Sequence, residues 1–360
     1  MNQENYRKLI SGRSTSSAAV LLRFFLGVAA IGYLLVVRLR NFLYSKGWLK
    51  THTSDVLVIS IGNITVGGTG KTPLVIWLYN LLQERNIHCA ILTRGYKATQ
   101  NYEDEPAILA KSCPEARVVV NPDRVTGAAE AVNDFDAKVL IMDDGFQHRR
   151  LARDLDIVAI DATCPFGYDK TLPAGLLREP VTSLKRADAA VITRCDQTTE
   201  AQLAQLEKEL QRINPDMIIA KSIHKPICAK SMVGKEISIE ELKGKKIFAF
   251  CGIGNPGAFL NTIKKTGANL VGSKIYNDHY HYTDSDIDDI HGQANCLKAD
   301  LILATQKDWF SAQYAIRNTQ YEIPFAYLAV ELKFTAGGDK LKVLIGDTLA
   351  GKISSCKNNS

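Results

Sequence analysis

A short apolar run that ends in a glycine-rich stretch places the strongest constraint on the fold. Residues 56–61 read VLVISI, and GNITVGGTGKTP follows over residues 62–73. The run is typical of a buried parallel strand, and apolar residues at helical spacing follow the stretch. A phosphate-binding loop needs this order of strand, glycines and helix, because backbone N–H groups then converge on the anion. The pattern predicts a P-loop, although Thr65 stands where the strict motif has glycine.

The residues of this loop have distinct expected roles. Lys71 is expected to reach the terminal phosphates of a nucleotide, and the Thr72 hydroxyl to bind Mg²⁺. The alternative is a glycine-rich turn that contains GKT by chance, and the flanking strand and helix argue against it. The predicted nucleotide-binding residues are Gly67, Gly68, Thr69, Gly70, Lys71 and Thr72.

A second apolar strand ends in two aspartates. Residues 139–142 read VLIM and are followed by DDGFQH over residues 143–148. Doubly wound sheets bind ligands at the carboxyl ends of their strands, so Asp143 is the predicted Mg²⁺ carboxylate. Neighbouring side chains on a strand point to opposite faces, which makes Asp144 a supporting residue. Without the Lys71 loop, an ordinary strand-to-turn junction would explain the same residues.

Strands and helices alternate through the rest of the chain. This alternation predicts an α/β fold of the P-loop NTPase type, with a mostly parallel sheet flanked by helices. The pattern loosens near residues 214–229, and a second α/β unit begins at residues 246–250. The predicted division is an N-terminal membrane-associated segment (1–50), a nucleotide-binding domain (51–220) and a smaller second α/β domain (221–360) that closes over the site.

The basic charge of the chain lies in its first 50 residues. That segment contains eight Lys and Arg residues against the single acid Glu4, a net charge of +7, whereas the whole chain has +6. The remaining 310 residues therefore sum to −1. A nucleic-acid-binding protein needs basic and aromatic residues over its folded domain, so this distribution argues against a nucleic-acid partner.

An uncharged run of 14 residues, FFLGVAAIGYLLVV over 24–37, lies inside the basic segment. A spanning helix needs about 20 apolar residues, so we expect a helix that lies in or dips into the anionic leaflet, although a longer crossing remains open. The alternative is a core helix that packs on the nucleotide domain. The eight scattered cysteines form no C-x-x-C pair, which predicts reduced thiols and no structural metal.

Several motifs together resemble the tetraacyldisaccharide 4′-kinase family, the lipid A 4′-kinases of Gram-negative bacteria. They are SIGNITVGGTGKTP (60–73), DEP (104–106), DDGFQHRRLARDLDIVAID (143–161), LPAGLLREP (172–180), DH (278–279) and T-x-KD (305–308). The resemblance implies an enzyme at the cytoplasmic face of the inner membrane, attached peripherally through its N-terminal helix. It would transfer the γ-phosphate of ATP, with Mg²⁺, to the 4′-hydroxyl of a tetraacylated glucosamine disaccharide 1-phosphate. No obligate protein partner is expected.

The resemblance also supplies catalytic candidates. Asp104 stands where the family has its catalytic carboxylate, and His279 where it has the partner histidine of the second domain. A carboxylate can accept the proton that the sugar hydroxyl loses during phosphoryl transfer. Gln147 is expected at the metal or its water shell. The further candidates for substrate contact or support are Glu105, Arg124, Asp144, His148, Arg149 and Arg178.

The chain departs from the family pattern at two places. Leu176 replaces a common proline, and Tyr168-Asp169 replaces an asparagine-glycine pair, in a stretch expected to border the nucleotide base. Two other classes of protein remain open at this point. One is a regulatory or metal-insertion P-loop GTPase at the membrane, with Thr193-Arg194-Cys195-Asp196 as a degenerate guanine-binding motif. The other is a non-catalytic membrane adaptor that uses nucleotide as a switch.

Overall fold

A computed structural model describes residues 3–95, 104–231, 234–278, 280–317 and 321–357 of the chain, without the side chains of residues 3, 4, 104, 105 and 353–357. The chain divides into two compact units. Among the described residues, unit 1 comprises those of 3–95, 109–223 and 334–357, and unit 2 comprises those of 104–108 and 224–333.

Unit 1 has the predicted parallel α/β architecture. Its strands are β1 (Leu57–Gly62), β2 (Cys89–Thr93), β3 (Arg117–Val120), β4 (Val139–Asp143), β5 (Leu155–Asp161), β6 (Ala189–Thr193) and the first half of β7 (Ile218–Ser231). Its helices are α1 (Gln3–Ile10), α2 (Ser17–Ser45), α3 (Lys71–Gln83), the second half of α4 (Asp104–Ser112), α5 (Arg124–Phe135), α6 (Glu200–Ile213) and α11 (Gly338–Lys357). Short 3₁₀ turns occur at Gly167–Asp169, Val181–Arg186 and Cys195–Gln197.

The strands of unit 1 run in the order β7-β6-β5-β1-β4-β2-β3, and every neighbouring pair is parallel. The central strands are buried along their whole length. Val58 packs with Ala131 of α5 in one core cluster, and Ile192 packs with Leu206 of α6 in another. Helices that cover both faces explain why these strands read as continuous apolar runs.

Unit 2 is a smaller α/β unit. It contains β8 (Glu236–Ser238), β9 (Lys246–Cys251), β10 (Asn269–Ile275), β11 (Leu301–Thr305) and most of β12 (Phe325–Ala336). Its helices are α7 (Ile239–Leu242), α8 (Pro256–Lys265), α9 (Asp284–Cys296) and α10 (Gln306–Arg317). Strands β10, β9, β11 and β12 are parallel neighbours, and β8 pairs antiparallel with the second half of β7.

Helix α2 is longer than the 14-residue apolar run that the sequence showed. Its 29 residues extend about 44 Å, and its most apolar 18-residue window has a mean hydropathy of 2.4 with only 11% of its residues buried. By length and composition α2 can cross a membrane. Its exposure excludes the alternative of a buried core helix. Eleven large apolar side chains on its surface are exposed: Val20, Leu21, Leu22, Phe24, Phe25, Val28, Ile31, Leu35, Val36, Leu39 and Phe42.

A left-handed turn precedes the LPAGLLREP segment. Gly167, Tyr168 and Asp169 have φ angles of +55°, +66° and +58°. The asparagine-glycine pair that the family commonly has at 168–169 suits this backbone better than Tyr168-Asp169 does, because most residues with a Cβ are strained there. The departure from the family pattern therefore leaves local strain at Tyr168 and, to a smaller extent, at Asp169.

We expect Asp169→Gly to raise the free energy of unfolding by about 0.5–1 kcal/mol, since glycine adopts the left-handed conformation without a Cβ penalty. Urea unfolding in detergent micelles measures the change. Lys170→Gly is the matched control, because Lys170 has a φ of −128° and gains nothing from glycine. Equal changes in unfolding free energy for the two substitutions, or a loss of stability in Asp169→Gly, would show that Asp169 is not strained.

Candidate active site

The predicted strand, loop and helix form the centre of the candidate site. Strand β1 ends at Gly62, and α3 begins at Lys71. Gly67 and Gly70 have φ angles of +118° and +88°, a backbone that favours glycine. Gly70 is the residue that precedes α3 and has no side chain to cap it. The backbone N–H groups of the first helical turn are therefore left for an anion.

Two buried hydrogen bonds fix the shape of the loop. The Asn63 amide, which is fully buried, donates to the Thr69 hydroxyl at 3.0 Å. The Thr193 hydroxyl at the end of β6 donates to the Thr69 carbonyl at 2.8 Å. Within the described part of the chain, no group bonds the buried Oδ1 atom of Asn63. Neither Asn63 nor Thr193 was predicted to support the loop, and the one signal in the sequence is that Asn63 directly follows an apolar strand and Thr193 ends one.

The LPAGLLREP segment supports the other side of the loop. The Val66 N–H donates to the Leu176 carbonyl at 2.7 Å, and the Arg178 N–H donates to the Ile64 carbonyl at 2.8 Å. Leu176 also donates its own N–H to the Gly167 carbonyl at 2.8 Å, which a proline at this position would lack. The segment thus pairs with the loop backbone, and a contact with the nucleotide base stays a prediction.

Asp143 ends β4 directly beside the start of the loop. Strands β1 and β4 are parallel neighbours, and Ile61 pairs with Asp143 in their register. Asp143 is buried, and its carbonyl accepts a hydrogen bond of 3.0 Å from the Arg124 guanidinium. The sheet therefore holds Asp143 and the Lys71 loop at the same edge, and a metal contact of the Asp143 carboxylate stays a prediction.

The next residue, Asp144, joins two cations of the site. Its carboxylate lies 3.3 Å from the Lys71 ammonium, and both of its oxygens accept hydrogen bonds from Nη1 of Arg178, at 2.9 and 2.7 Å. Burial acts to raise the pKa of Asp144, but the charges and hydrogen bonds of Lys71 and Arg178 outweigh it and hold that pKa well below its usual range. Asp144 is therefore ionised and keeps the lysine at the mouth of the loop.

Gln147 and His148 follow in the turn after β4. The Gln147 amide donates to the Asn63 carbonyl at 2.8 Å and accepts from Arg178 at 3.4 Å, so it bridges the loop and the arginine. A metal contact of Gln147 stays a prediction. Burial, together with the charges of Arg124, Arg153 and Arg150, lowers the pKa of His148 from 6.5 to about 4. His148 is therefore neutral near pH 7, and its buried Nε2 atom bonds no group of the described chain.

The remaining arginine candidates have different surroundings. Arg124 is buried and donates to the carbonyls of Asn121 and Asp143. Burial lowers the pKa of Arg124, whereas the negative charges of Asp143 and Asp144 act to raise it. The Arg124 guanidinium therefore interacts electrostatically with both carboxylates. Arg149 instead faces α2, where it donates to the Asn41 carbonyl at 2.8 Å and covers the Tyr44 ring.

The two catalytic candidates lie largely outside the described part of the chain. Asp104 is the first residue of α4, but its side chain and that of Glu105 lie outside the described residues, as does the whole of His279. Their proximity to the loop stays a prediction.

A buried glutamate that was not among the predicted site residues joins α2 to the site. Glu179 follows Arg178 and is fully buried. Its carboxylate accepts from Arg40 at 3.2 Å, from Asn41 at 2.8 Å and from Arg186 at 3.1 Å. The sequence contained a signal for Glu179, because it is an acid beside a proline in a largely apolar segment. Such an acid, if buried, needs cationic partners.

The candidate guanine-binding motif has a structural role instead. The Arg194 guanidinium is buried and donates to the Asp161 carboxylate at 2.6 Å, while Thr193 supports the loop. Cys195 is buried in the core cluster beside α6. Since these side chains are already used within the protein, the geometry gives no support to the GTPase alternative.

The oxygen donors at the sheet edge fit Mg²⁺. Mg²⁺ in nucleotide sites takes one or two protein oxygens and completes its shell with phosphates and waters. The Thr72 hydroxyl, in the first turn of α3, and the Asp143 carboxylate supply such donors. Among the described residues, no group of three His, Cys, Asp or Glu side chains could hold a metal by itself.

Comparisons with known proteins agree with this geometry. The model of the family described as LpxK, Tetraacyldisaccharide-1-P 4'-kinase, matches residues 22–349. The Tetraacyldisaccharide 4'-kinase of Halothermothrix orenii is 32% identical over 367 aligned positions, which cover 93% of this chain and 95% of that protein. The protein of the same name from Chlorobaculum tepidum is 36% identical over 356 positions, which cover 92% of this chain and 98% of that protein.

A solved structure is similar over nearly the same length. It is described as the "apo" form of LpxK from Aquifex aeolicus in complex with ATP. It is 30% identical, with a TM-score of 0.69 and coverage of 91% of this chain and 99% of that chain. Matches of this extent, together with the loop and the two aspartates of β4, show that the chain belongs to the tetraacyldisaccharide-1-phosphate 4′-kinase family.

Proposed function

We propose that this chain transfers the γ-phosphate of ATP to the 4′-hydroxyl of a tetraacylated glucosamine disaccharide 1-phosphate, a step of lipid A biosynthesis. The observation that carries the proposal is the joint position of the glycine loop, Lys71, Asp143 and Asp144 at one sheet edge, in a chain of this family. The Aquifex aeolicus protein was solved in complex with ATP, which supports the choice of nucleotide.

The nucleotide site would work through positioning and charge. The loop N–H groups hold the phosphates, and Thr72 and Asp143 hold Mg²⁺, with Gln147 as a further candidate for its shell. When bound, Mg²⁺ supplies positive charge against the phosphate oxygens. Lys71 would turn from Asp144 towards the terminal phosphates, because a second anion then competes for the ammonium. Asp144 stays paired with Arg178 and keeps the arginine oriented.

The acceptor hydroxyl needs a base. Asp104 is the proposed base, since a carboxylate near the attacking oxygen accepts its proton as the bond to phosphorus forms. His279 would orient or share that proton, and Glu105 would support Asp104. The neutral imidazole of His148 and the guanidinium groups of Arg124 and Arg178 are proposed contacts of the acceptor or its phosphates, because neutral imidazole and guanidinium both donate hydrogen bonds to phosphate oxygens.

The acceptor is a lipid, and α2 offers a matching surface. Its exposed apolar side chains need a non-aqueous environment, and basic residues lie at both ends of its uncharged run. We propose that this surface attaches the protein to the cytoplasmic face of the inner membrane, where the acylated substrate resides. The proposal requires no nucleic acid and no obligate protein partner.

Substitution of the site should separate binding from chemistry. We expect Lys71→Ala and Asp143→Ala to lower phosphoryl transfer by at least about 100-fold, because each removes a charge that acts on the transferred group. Asp104→Ala should lower turnover by about 10²–10⁴-fold and leave ATP affinity unchanged, since a base acts after the nucleotide is bound. The measurement is transfer of γ-labelled phosphate to the tetraacyl disaccharide 1-phosphate in detergent micelles, beside fluorescent-ATP binding.

Matched controls come from an exposed ion pair of the same unit. Lys138 and Asp136 pair at the surface, and Lys138→Ala and Asp136→Asn should retain wild-type turnover. Wild-type turnover in Lys71→Ala or Asp143→Ala would overturn the assigned site. A wild-type protein that binds ATP but labels no lipid would overturn the proposed acceptor.

The neutral state of His148 predicts a dependence of stability on pH. The unfolded chain protonates this histidine below about pH 6.5, whereas the folded protein resists protonation down to about pH 4. Acid therefore favours the unfolded chain in this window, and stability falls as pH falls through it. Between pH 7 and pH 5, wild type should lose more unfolding free energy than His148→Gln, as measured by urea titration. The exposed His88 is the control, and a His88→Gln variant should behave as wild type.

The surface of α2 predicts membrane binding. We expect Leu35→Asn combined with Val36→Asn to weaken flotation with vesicles containing phosphatidylglycerol by at least tenfold, because each change removes about 1.5–3 kcal/mol of apolar transfer energy. High salt should weaken binding in part, since basic residues contribute. Val343→Asn changes an equally exposed valine of α11 and should have no effect. Similar losses in both variants would refute α2 as the membrane contact.

A further inference from the structure

Helix α2 has a second, inward face that contacts the candidate site. Ala19, Ala30 and Val37 on this face are buried. The polar residues of the same face are Tyr33, Arg40 and Asn41, and each of them bonds a residue next to the phosphate loop. A helix that served only for attachment to lipid would need no such bonds.

The contacts converge on Arg178. The Tyr33 hydroxyl donates to the Arg178 carbonyl at 2.8 Å. The neighbouring Glu179 is fully buried, and among the described residues α2 supplies two partners of its carboxylate, Arg40 and Asn41. Helix α2 therefore bonds the Arg178 carbonyl directly and also fixes the side chain of the next residue.

From Arg178 the contacts continue into the phosphate site. Its N–H donates to the Ile64 carbonyl at 2.8 Å, and its side chain bonds both oxygens of Asp144. Asp144 in turn lies 3.3 Å from the Lys71 ammonium. A displacement of Arg178 would thus change the backbone of the loop and the position of the loop lysine together.

We propose that α2 is a positioning element of the phosphate site: through Tyr33 and Glu179 it seats Arg178, and Arg178 sets the positions of Asp144 and Lys71. The helix that meets lipid and the residues that meet phosphate then form one connected unit. Arg149 adds a second connection, because it joins the turn after β4 to the Asn41 carbonyl. The expected change in kcat rests on the proposed phosphoryl transfer. The expected change in hydrogen exchange at the loop does not depend on that reaction.

The sharpest variant is Tyr33→Phe, which removes one hydroxyl and keeps the ring. We expect kcat for phosphoryl transfer in micelles to fall about 3- to 10-fold, the range that corresponds to one hydrogen bond, with an unchanged KM for the lipid. Hydrogen exchange at the amides of Val66 and Arg178 should accelerate. Vesicle binding should stay as in wild type, because Tyr33 lies on the inward face.

The matched control is Tyr79→Phe, which also removes a tyrosine hydroxyl that bonds the backbone, here as the acceptor of the Glu115 N–H. It should not accelerate exchange at Val66 or Arg178. The second test is a double-mutant cycle with Arg178→Ala. Because the guanidinium carries only part of the connection, Tyr33→Phe should have a smaller effect on kcat once that guanidinium is absent, and the part carried by the Arg178 N–H bond to Ile64 should remain.

Three results would overturn the proposal. These are wild-type exchange rates in Tyr33→Phe, additive effects in the cycle, and a loss of kcat that accompanies an equal loss of vesicle binding. The exchange measurement decides the case even if wild type transfers no phosphate to the lipid. Failure of the proposed function and failure of the positioning role are therefore distinguishable.

Discussion

The ion pairs of Asp144 with Lys71 and Arg178 are the interaction on which the rest of the site depends. One carboxylate holds the loop lysine and the arginine of the LPAGLLREP segment at the same point. These elements are more than 30 residues apart in sequence. The ion pairs therefore form only when the fold brings the three segments together. Without the carboxylate, Lys71 and Arg178 would repel each other at this distance and move apart, which would disrupt the anion site. The carboxylate keeps both charges ready for a phosphate.

The loop itself is held by neutral contacts. Asn63 bonds the Thr69 hydroxyl and Thr193 bonds the Thr69 carbonyl. Residues 176–178 pair with the backbone of residues 64–66. Glycines give the loop its left-handed conformations but supply no side chains to hold it. Buried polar groups from the loop's own start and from β6 therefore supply the missing support, and their hydrogen bonds are stronger because they lie away from water.

Helix α2 has two faces with different surroundings. Its outward face is apolar and exposed, whereas its inward face places Arg40 and Asn41 on the buried carboxylate of Glu179. Without Arg40 and Asn41, this buried carboxylate would keep Arg186 as its partner but lose a second cation and a hydrogen bond that offset its burial. An ion pair and a hydrogen bond thus fix the helix to unit 1, and its apolar face is left exposed.

The sequence by itself determined the α/β class, the order of strand, glycine loop and helix, and the place of Asp143 at the end of a strand, because strand periodicity and glycine spacing are local properties. It also indicated the family, through motifs such as DDGFQHRRL. Only the tertiary structure decided that Asp144 pairs with Lys71 and that Arg149 faces α2. It alone revealed that Glu179 bonds that helix and that residues 334–357 belong to unit 1. These facts depend on contacts between segments distant in sequence, and no local pattern specifies which charged side chain meets which partner.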